Sequence, residues 1–172
     1  RGQPGPKTNL AVSLFYNLYD DVRTTEFTGN PLPIRLQNSL KGRTGGAEAW
    51  LTRQLSGRWR ASLGVATLNK DFRLKNGAVD LSDRASLGAD PDYQVIARSQ
   101  WDLTDRLQLD LGLRGVDDLG DSGIGGYVEA DARLAWRVSE LIELYAAGNN
   151  LLHKSHVESD DNVRAQRIRR SV

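Results

Sequence analysis

His153 and His156 stand three residues apart in Leu151-Leu-His-Lys-Ser-His, a spacing that could offer two imidazoles to a metal ion. No carboxylate pattern supports them and the run is polar, so it reads as a solvated loop. Asp117-Asp118 and Asp160-Asp161 could meet a hard cation but lack the ligand spacing of a calcium loop. Ser122-Gly-Ile-Gly-Gly shares only its glycine content with a phosphate loop; no Lys-Ser/Thr and no helix follows. The basic run Arg164-Ala-Gln-Arg-Ile-Arg-Arg has no interleaved aromatics, so it reads as strand and loop rather than a nucleic-acid surface. There is no cysteine, which removes a thiolate nucleophile, a thiolate metal site and a disulfide scaffold. Nothing supplies a nucleophile, an activated base or a metal cage, so the expectation is a non-enzyme with no catalytic residue, cofactor or metal site.

The chain has 172 residues, the size of one domain, and a net charge of +1 from 23 Lys/Arg and 22 Asp/Glu. That balance gives no global field toward nucleic acid. With 26% charged and 39% apolar residues it is too apolar for disorder and too charged for a helical membrane bundle. Neither Met nor a leader segment stands at the start, which reads as a mature product or a fragment.

Turn residues fall in a regular alternation. Tight junctions at 55–57, 103–106 and 138–140 are separated by long polar stretches at 21–44, 71–91, 117–125 and 153–164. Strands fit between them at 8–20, 45–55, 58–70, 92–102, 106–116, 126–137, 140–152 and from 165. Short connections make neighbours antiparallel. The expected class is all-β, an antiparallel up-and-down meander of seven to eight strands.

Period two divides each strand into two faces. One parity reads Val95, Ala97, Ser99, Trp101; Leu107, Leu109, Leu111, Leu113; Val128, Ala130, Ala132, Leu134, Trp136; and Ile142, Leu144, Ala146, without a charge. The other carries Arg98, Asp110, Arg114, Glu129, Asp131, Arg133 and Glu143. In a soluble sandwich the apolar face would cover a second sheet. In an outer-membrane barrel it would meet lipid, and the charged face would line the lumen.

The tryptophans favour the barrel. Trp59, Trp101 and Trp136 each lie two or three residues from a tight turn, all on the apolar parity, as an aromatic girdle at a membrane interface would. Tyr16, with Tyr19, Tyr93 and Tyr127 nearby, marks the opposite strand ends. Trp50 has the polar parity and belongs in the lumen. Arg53 is a charge on the lipid parity, placed near a turn where its guanidinium reaches the headgroups. If strands 106–116 and 126–137 pair symmetrically about their connection, Arg114 opposes Glu129 and Asp110 opposes Arg133. Across the next turn Arg133 would oppose Glu143. This ladder would satisfy charges at a wet wall and pin register.

Leu14-Phe-Tyr-Asn-Leu-Tyr-Asp-Asp-Val-Arg-Thr-Thr-Glu, Gly45-Gly-Ala-Glu-Ala-Trp, Asp92-Tyr-Gln-Val, Tyr127-Val-Glu-Ala-Asp-Ala-Arg-Leu-Ala-Trp and Gly148-Asn-Asn-Leu-Leu-His follow one another in this order. Together they resemble the C-terminal barrel of TonB-dependent receptors, and the last is similar to that family's penultimate-strand motif. The resemblance implies that 1–172 are the C-terminal portion of a transmembrane barrel of about 22 strands. It also implies a plug domain and a TonB-contacting box elsewhere, since these residues hold neither, and a segment cut at both ends. The implied location is the bacterial outer membrane. The implied partners are outer-membrane lipid, TonB through a region outside this segment, and a small-molecule or metal-chelate ligand such as an iron–siderophore complex or cobalamin. Nucleic acid is not among them. Two other readings stay open: a complete eight-stranded outer-membrane barrel acting as anchor or adhesin, and a soluble lipocalin-like binder with its apolar parity inside. Stretches 21–44 and 71–91 are the candidate ligand loops, with Lys70, Asp71, Arg73 and Lys75 against Asp80, Asp83 and Asp90.

Overall fold

A computed structural model describes residues 2–27, 34–79, 90–120, 123–158 and 167–172. Asp80, Asp83, Ser122, Asp160, Asp161 and Arg164 from the reading above lie outside the described residues. Alternating apolar and polar side chains produce one antiparallel meander. Its strands are β1 (Gly2–Gly5), β2 (Thr8–Phe27), β3 (Ile34–Ser56), β4 (Trp59–Leu74), β5 (Tyr93–Asp102), β6 (Leu107–Val116), β7 (Tyr127–Arg137) and β8 (Glu143–Gly148). They are hydrogen-bonded in sequence order, and a separate pair joins β9 (Ser155–Val157) to β10 (Arg167–Arg169). Among the described residues β1 and β8 do not pair with each other, so this is an open sheet and not a closed eight-stranded barrel.

The apolar parity has no second layer over it. Leu14 is 77% exposed and Leu18 75%, while Leu40, Leu119 and Ala135 are the buried hydrophobic residues among those described. A sandwich or lipocalin would invert those figures, so the soluble reading fails on burial. The outward band is bounded: β4 presents Trp59, Ala61, Leu63, Val65 and Thr67, then turns polar at Asn69, Asp71 and Arg73. Asp71 there pairs with Arg43 at 3.2 Å and Arg73 at 2.9 Å. Nine residues of tilted strand match an apolar band about 25 Å tall.

Two expected elements differ. The stretch 21–44 is largely strand: β2 and β3 stay paired out to Phe27 and Ile34. At about 3.4 Å per residue β2 alone runs roughly 68 Å, far past the band. Polar residues in that arm hid the pairing, because outside lipid neither face has to be apolar. The strand expected over 140–152 is only Glu143–Gly148, and the chain then leaves the ladder.

Candidate functional site

The inner face is the chemically endowed one. β6 and β7 pair as the turn position predicts, with Arg114 opposite Glu129 and Asp110 opposite Arg133. Arg133 sits between two carboxylates, 3.3 Å from Asp110 Oδ2 and 2.8 Å from Glu143 Oε1, with its guanidinium 5.2 Å from the Tyr145 ring. Glu143 nevertheless opposes Arg137, not Arg133. The turn after β7 is longer than 138–139, which shifts register by four residues, and the long arginine side chain reaches across diagonally. Arg98 opposes Ser62 and Gly112 on the same face.

Arg114 and Glu129 are neighbours without being ion partners. Arg114 Nη2 binds Glu158 Oε1 at 2.9 Å, and Glu129 serves the return, the stretch that continues along β7 beyond the end of β8. At Asn150 the backbone adopts a positive φ of 54° and swings out of the β7 ladder. The freed amides then find side-chain acceptors on β7: Asn150 N–H donates to Asp131 Oδ1 at 2.9 Å, and Leu152 N–H to Glu129 Oε2 at 3.1 Å. Leu151 N–H regains a backbone partner, Ala130 O, at 2.8 Å. Two carboxylates read from the sequence as wall lining therefore replace ladder acceptors where a strand bulges.

The same return corrects the reading of the histidines as a solvated loop. His153 Nδ1 donates to Glu129 Oε1 at 2.8 Å, and His156 Nε2 to Glu158 Oε1 at 2.7 Å. His156 stacks on Tyr127 with ring centroids 4.5 Å apart, and the Tyr127 hydroxyl donates to Glu158 at 2.8 Å. Burial pushes the Glu158 carboxyl up, but the His156 and Tyr127 hydrogen bonds and the Arg114 charge outweigh it and hold it below the usual range. Sequence reasoning missed this cluster because Glu129 lies 24 positions from His153; only the register brings them together. Among the described residues no group of three or more His, Cys, Asp or Glu is arranged to hold a metal ion.

A second inner feature is a set of aromatic rings laid flat over glycines on the neighbouring strand. Phe15 opposes Gly46, Trp50 opposes Gly64, and Phe72 opposes Gly42. A Cβ on Gly64 would stand 2.2 Å from the Trp50 ring, and one on Gly46 2.4 Å from Phe15 and 2.2 Å from Thr67 O. Trp50 does face inward, on the wall of a hollow of about 480 Å³ shared with Ala11, Glu48, Gly64, Gln94 and Ile96.

On the outward face Trp59 and Trp101 are cross-strand partners with rings 5.5 Å apart, edge to face, and Trp136 is 51% exposed beside Leu107 and Leu144. Trp59 Nε1 donates to Ser99 Oγ at 2.9 Å. Tyr16 and Tyr93 share this face, whereas Tyr19 meets Phe72 on the inner side and Tyr127 meets His156. Arg53 is exposed on the outward parity, opposite Thr8 and Ala61.

Near the long-connection end, β2 bulges between Tyr19 and Val22, with Asp21 at a positive φ of 61°. Lys75 braces it from beyond β4, bonding Asp20 at 2.8 Å and also Asp21. Those hydrogen bonds, Asp20 first, hold the Lys75 ammonium above its usual range. Lys70 pairs with Asp90. The charges of 70–75 are thus engaged with one another, with Arg43 and Asp90, and with the β2 bulge.

No family model matches the sequence, and no curated protein matches it. Solved structures do. The siderophore receptor PiuA of Acinetobacter baumannii aligns over 88% of this chain and 23% of its own, at 18% identity and a TM-score of 0.69. The ferric-catecholate import receptor Fiu of E. coli K12 aligns over 95% and 24%, at 18% identity and 0.67. The FrpB iron transporter of Neisseria meningitidis aligns over 88% and 26%, at 15% identity and 0.71. The chain spans about a quarter of the length of these structures. Its fold is that of a barrel segment of TonB-dependent receptors.

Proposed function

We propose that residues 1–172 are C-terminal wall of an outer-membrane receptor barrel that imports a scarce solute with energy delivered by TonB to a region outside this segment. The observation that carries the reading is the uncovered apolar face, bounded by tryptophans at the short turns and by an Arg43–Asp71–Arg73 cluster at the other end. Each outward leucine moved from water into hydrocarbon contributes ~1.5–3 kcal/mol, so lipid is the solvent that stabilises this sheet. Arg98, Asp110, Arg114, Glu129, Asp131, Arg133 and Glu143 then line the lumen, and Trp59, Trp101 and Trp136 mark the interface near the short turns.

For the solute, a metal or metal chelate is favoured over cobalamin. The similar structures are named for siderophores, ferric catecholate and iron, and another for copper, OprC. The arm of β2–β3 beyond the band and the 70–79 stretch are where such a ligand would be met, since long connections on a rigid wall carry recognition. The test is uptake of radiolabelled ferric and cupric chelates by cells with and without the gene, before and after collapse of the proton gradient. Gene-dependent, gradient-dependent uptake of a metal chelate is expected. Uptake that ignores the gene, or that persists without the gradient, would contradict the reading.

A further inference from the structure

His156 holds an unbalanced position. Its side chain is 9% exposed, and Glu158, an acceptor only, takes the proton on Nε2. The other ring nitrogen, Nδ1, is buried without a hydrogen bond and lies 3.2 Å from Glu129 Oε1. A neutral ring with its proton on Nε2 would therefore turn a lone pair toward a carboxylate oxygen, an unfavourable contact in a site shielded from water. A second proton, on Nδ1, converts that contact into a charge-assisted hydrogen bond and leaves the bond to Glu158 in place.

The groups around the ring set the charge balance. β7 supplies Glu129 and Tyr127, β6 supplies Arg114, and the return itself supplies Glu158 and His153. Arg114 and the Tyr127 hydroxyl both reach Glu158 Oε1, while His153 Nδ1 donates to Glu129 Oε1. Two carboxylates against one guanidinium leave one negative charge, which an imidazolium at 156 cancels. No group of metal-ligating side chains among the described residues is arranged to supply that charge instead.

We propose that His156 is a proton-operated clasp fastening the return 149–158 to the inner face of β7. The clasp is closed when the imidazole is protonated, because one ring then bridges Glu129 and Glu158. It loosens when the ring is neutral, because one N–H serves one carboxylate and the other oxygen faces a lone pair. The clasp thus answers to pH through the protonation of this one ring. β9 is part of this return and pairs with β10, with His156 opposite Ile168. The clasp thereby sets how firmly this end of the connection is tied to the wall, whichever solute the barrel carries.

Lys154 is exposed inside the return and offers a trypsin site between the two histidines. The experiment uses the intact protein in detergent micelles, digested at about pH 5.5 and about pH 8.5. Cleavage after Lys154 is scaled at each pH to an unstructured reference peptide. Scaled cleavage should rise roughly tenfold from the acid to the alkaline condition, the response expected of one charge-assisted hydrogen bond. His156→Gln should make it independent of pH, and His153→Gln should leave the dependence in place. A flat profile in the unaltered protein overturns the proposal without any variant having to fold. So does a His156→Gln protein that keeps the pH response, or cleavage that rises on adding a chelator at constant pH, which would put a metal where the proton is placed.

Discussion

The regular ladder of the lipid-facing band and its two left-handed breaks are built by opposite means. Within the band the pairs β4–β5, β5–β6, β6–β7 and β7–β8 keep one register throughout. A one-residue slip there would turn the charged parity, with Arg98, Asp110, Arg114, Asp131 and Arg133, toward the lipid, so the solvent itself enforces pairing. Elsewhere the ladder breaks, and two of the breaks carry a non-glycine residue in a left-handed conformation. The β2 bulge has Asp21 in a left-handed conformation, and the departure after β8 has Asn150 in one. They are the two non-glycine residues with positive φ among those described, and both are Asx side chains, which tolerate it best. Each break is then held by charge: Lys75 on Asp20 and Asp21, and Asp131 with Glu129 on the amides of Asn150 and Leu152. Register comes from the medium in one region and from specific side chains in the other.

The contrast can be sharpened by mutation. The largest effect outside lipid contact is expected at Gly46, on the inner face. In Gly46→Ala the new methyl meets backbone Thr67 O as well as Phe15, and the backbone cannot step aside. Destabilisation of about 1–3 kcal/mol is expected from urea unfolding in micelles. Gly45→Ala, on the outward face with its nearest neighbour the Tyr16 ring at 3.3 Å, should cost clearly less. Equal costs would mean that the rings do not lie flat on the inner wall.

A smaller effect is expected at the break after β8. Asn150→Ala should cost about 1–2 kcal/mol through its left-handed backbone, while Asn150→Gly should be nearly silent by the same measurement. An alanine as benign as the glycine would show that the return is not bulged at this position.

The smallest is a pH effect at Glu158. Its folded carboxyl titrates below the usual glutamate value, so its contribution is complete above that value and is lost as pH falls through the folded one. Protection of the return should therefore begin to decline as pH falls below ~4.3 and be lost through the lower folded value. Amide exchange at Leu152, corrected for intrinsic rates, follows this acid limb. Glu158→Gln should abolish the acid limb; an unchanged limb would assign the loss to another carboxylate.

What was legible in the sequence follows the same division. The band could be read because lipid demands a strict parity: Val128, Ala130, Ala132, Leu134 and Trp136 announce their face residue by residue. The β6–β7 register was readable as well, since Asp110 and Arg133 sit symmetrically about their connection. The arm of 21–44 was not readable as strand, because in water Arg23, Glu26, Arg35 and Lys41 neither favour nor forbid pairing. The histidine cluster was hidden for another reason. Its carboxylate lies on β7 and reaches His153 only because the chain, after its kink at Asn150, continues along that strand beyond β8, a backbone event that one Asx residue permits but does not announce.

The central claim, that one face of this sheet meets lipid, is tested most directly by two adjacent arginines. Leu111 is on the outward face and Gly112 on the inner one, opposite Asp131 with room for a side chain. In the intact protein Leu111→Arg should lose ~2–4 kcal/mol at mid-bilayer and assemble poorly into outer membranes, while Gly112→Arg should assemble nearly as the unaltered protein does. Equal assembly yields for the two variants, or a greater loss for Gly112→Arg, would contradict the assignment of the faces.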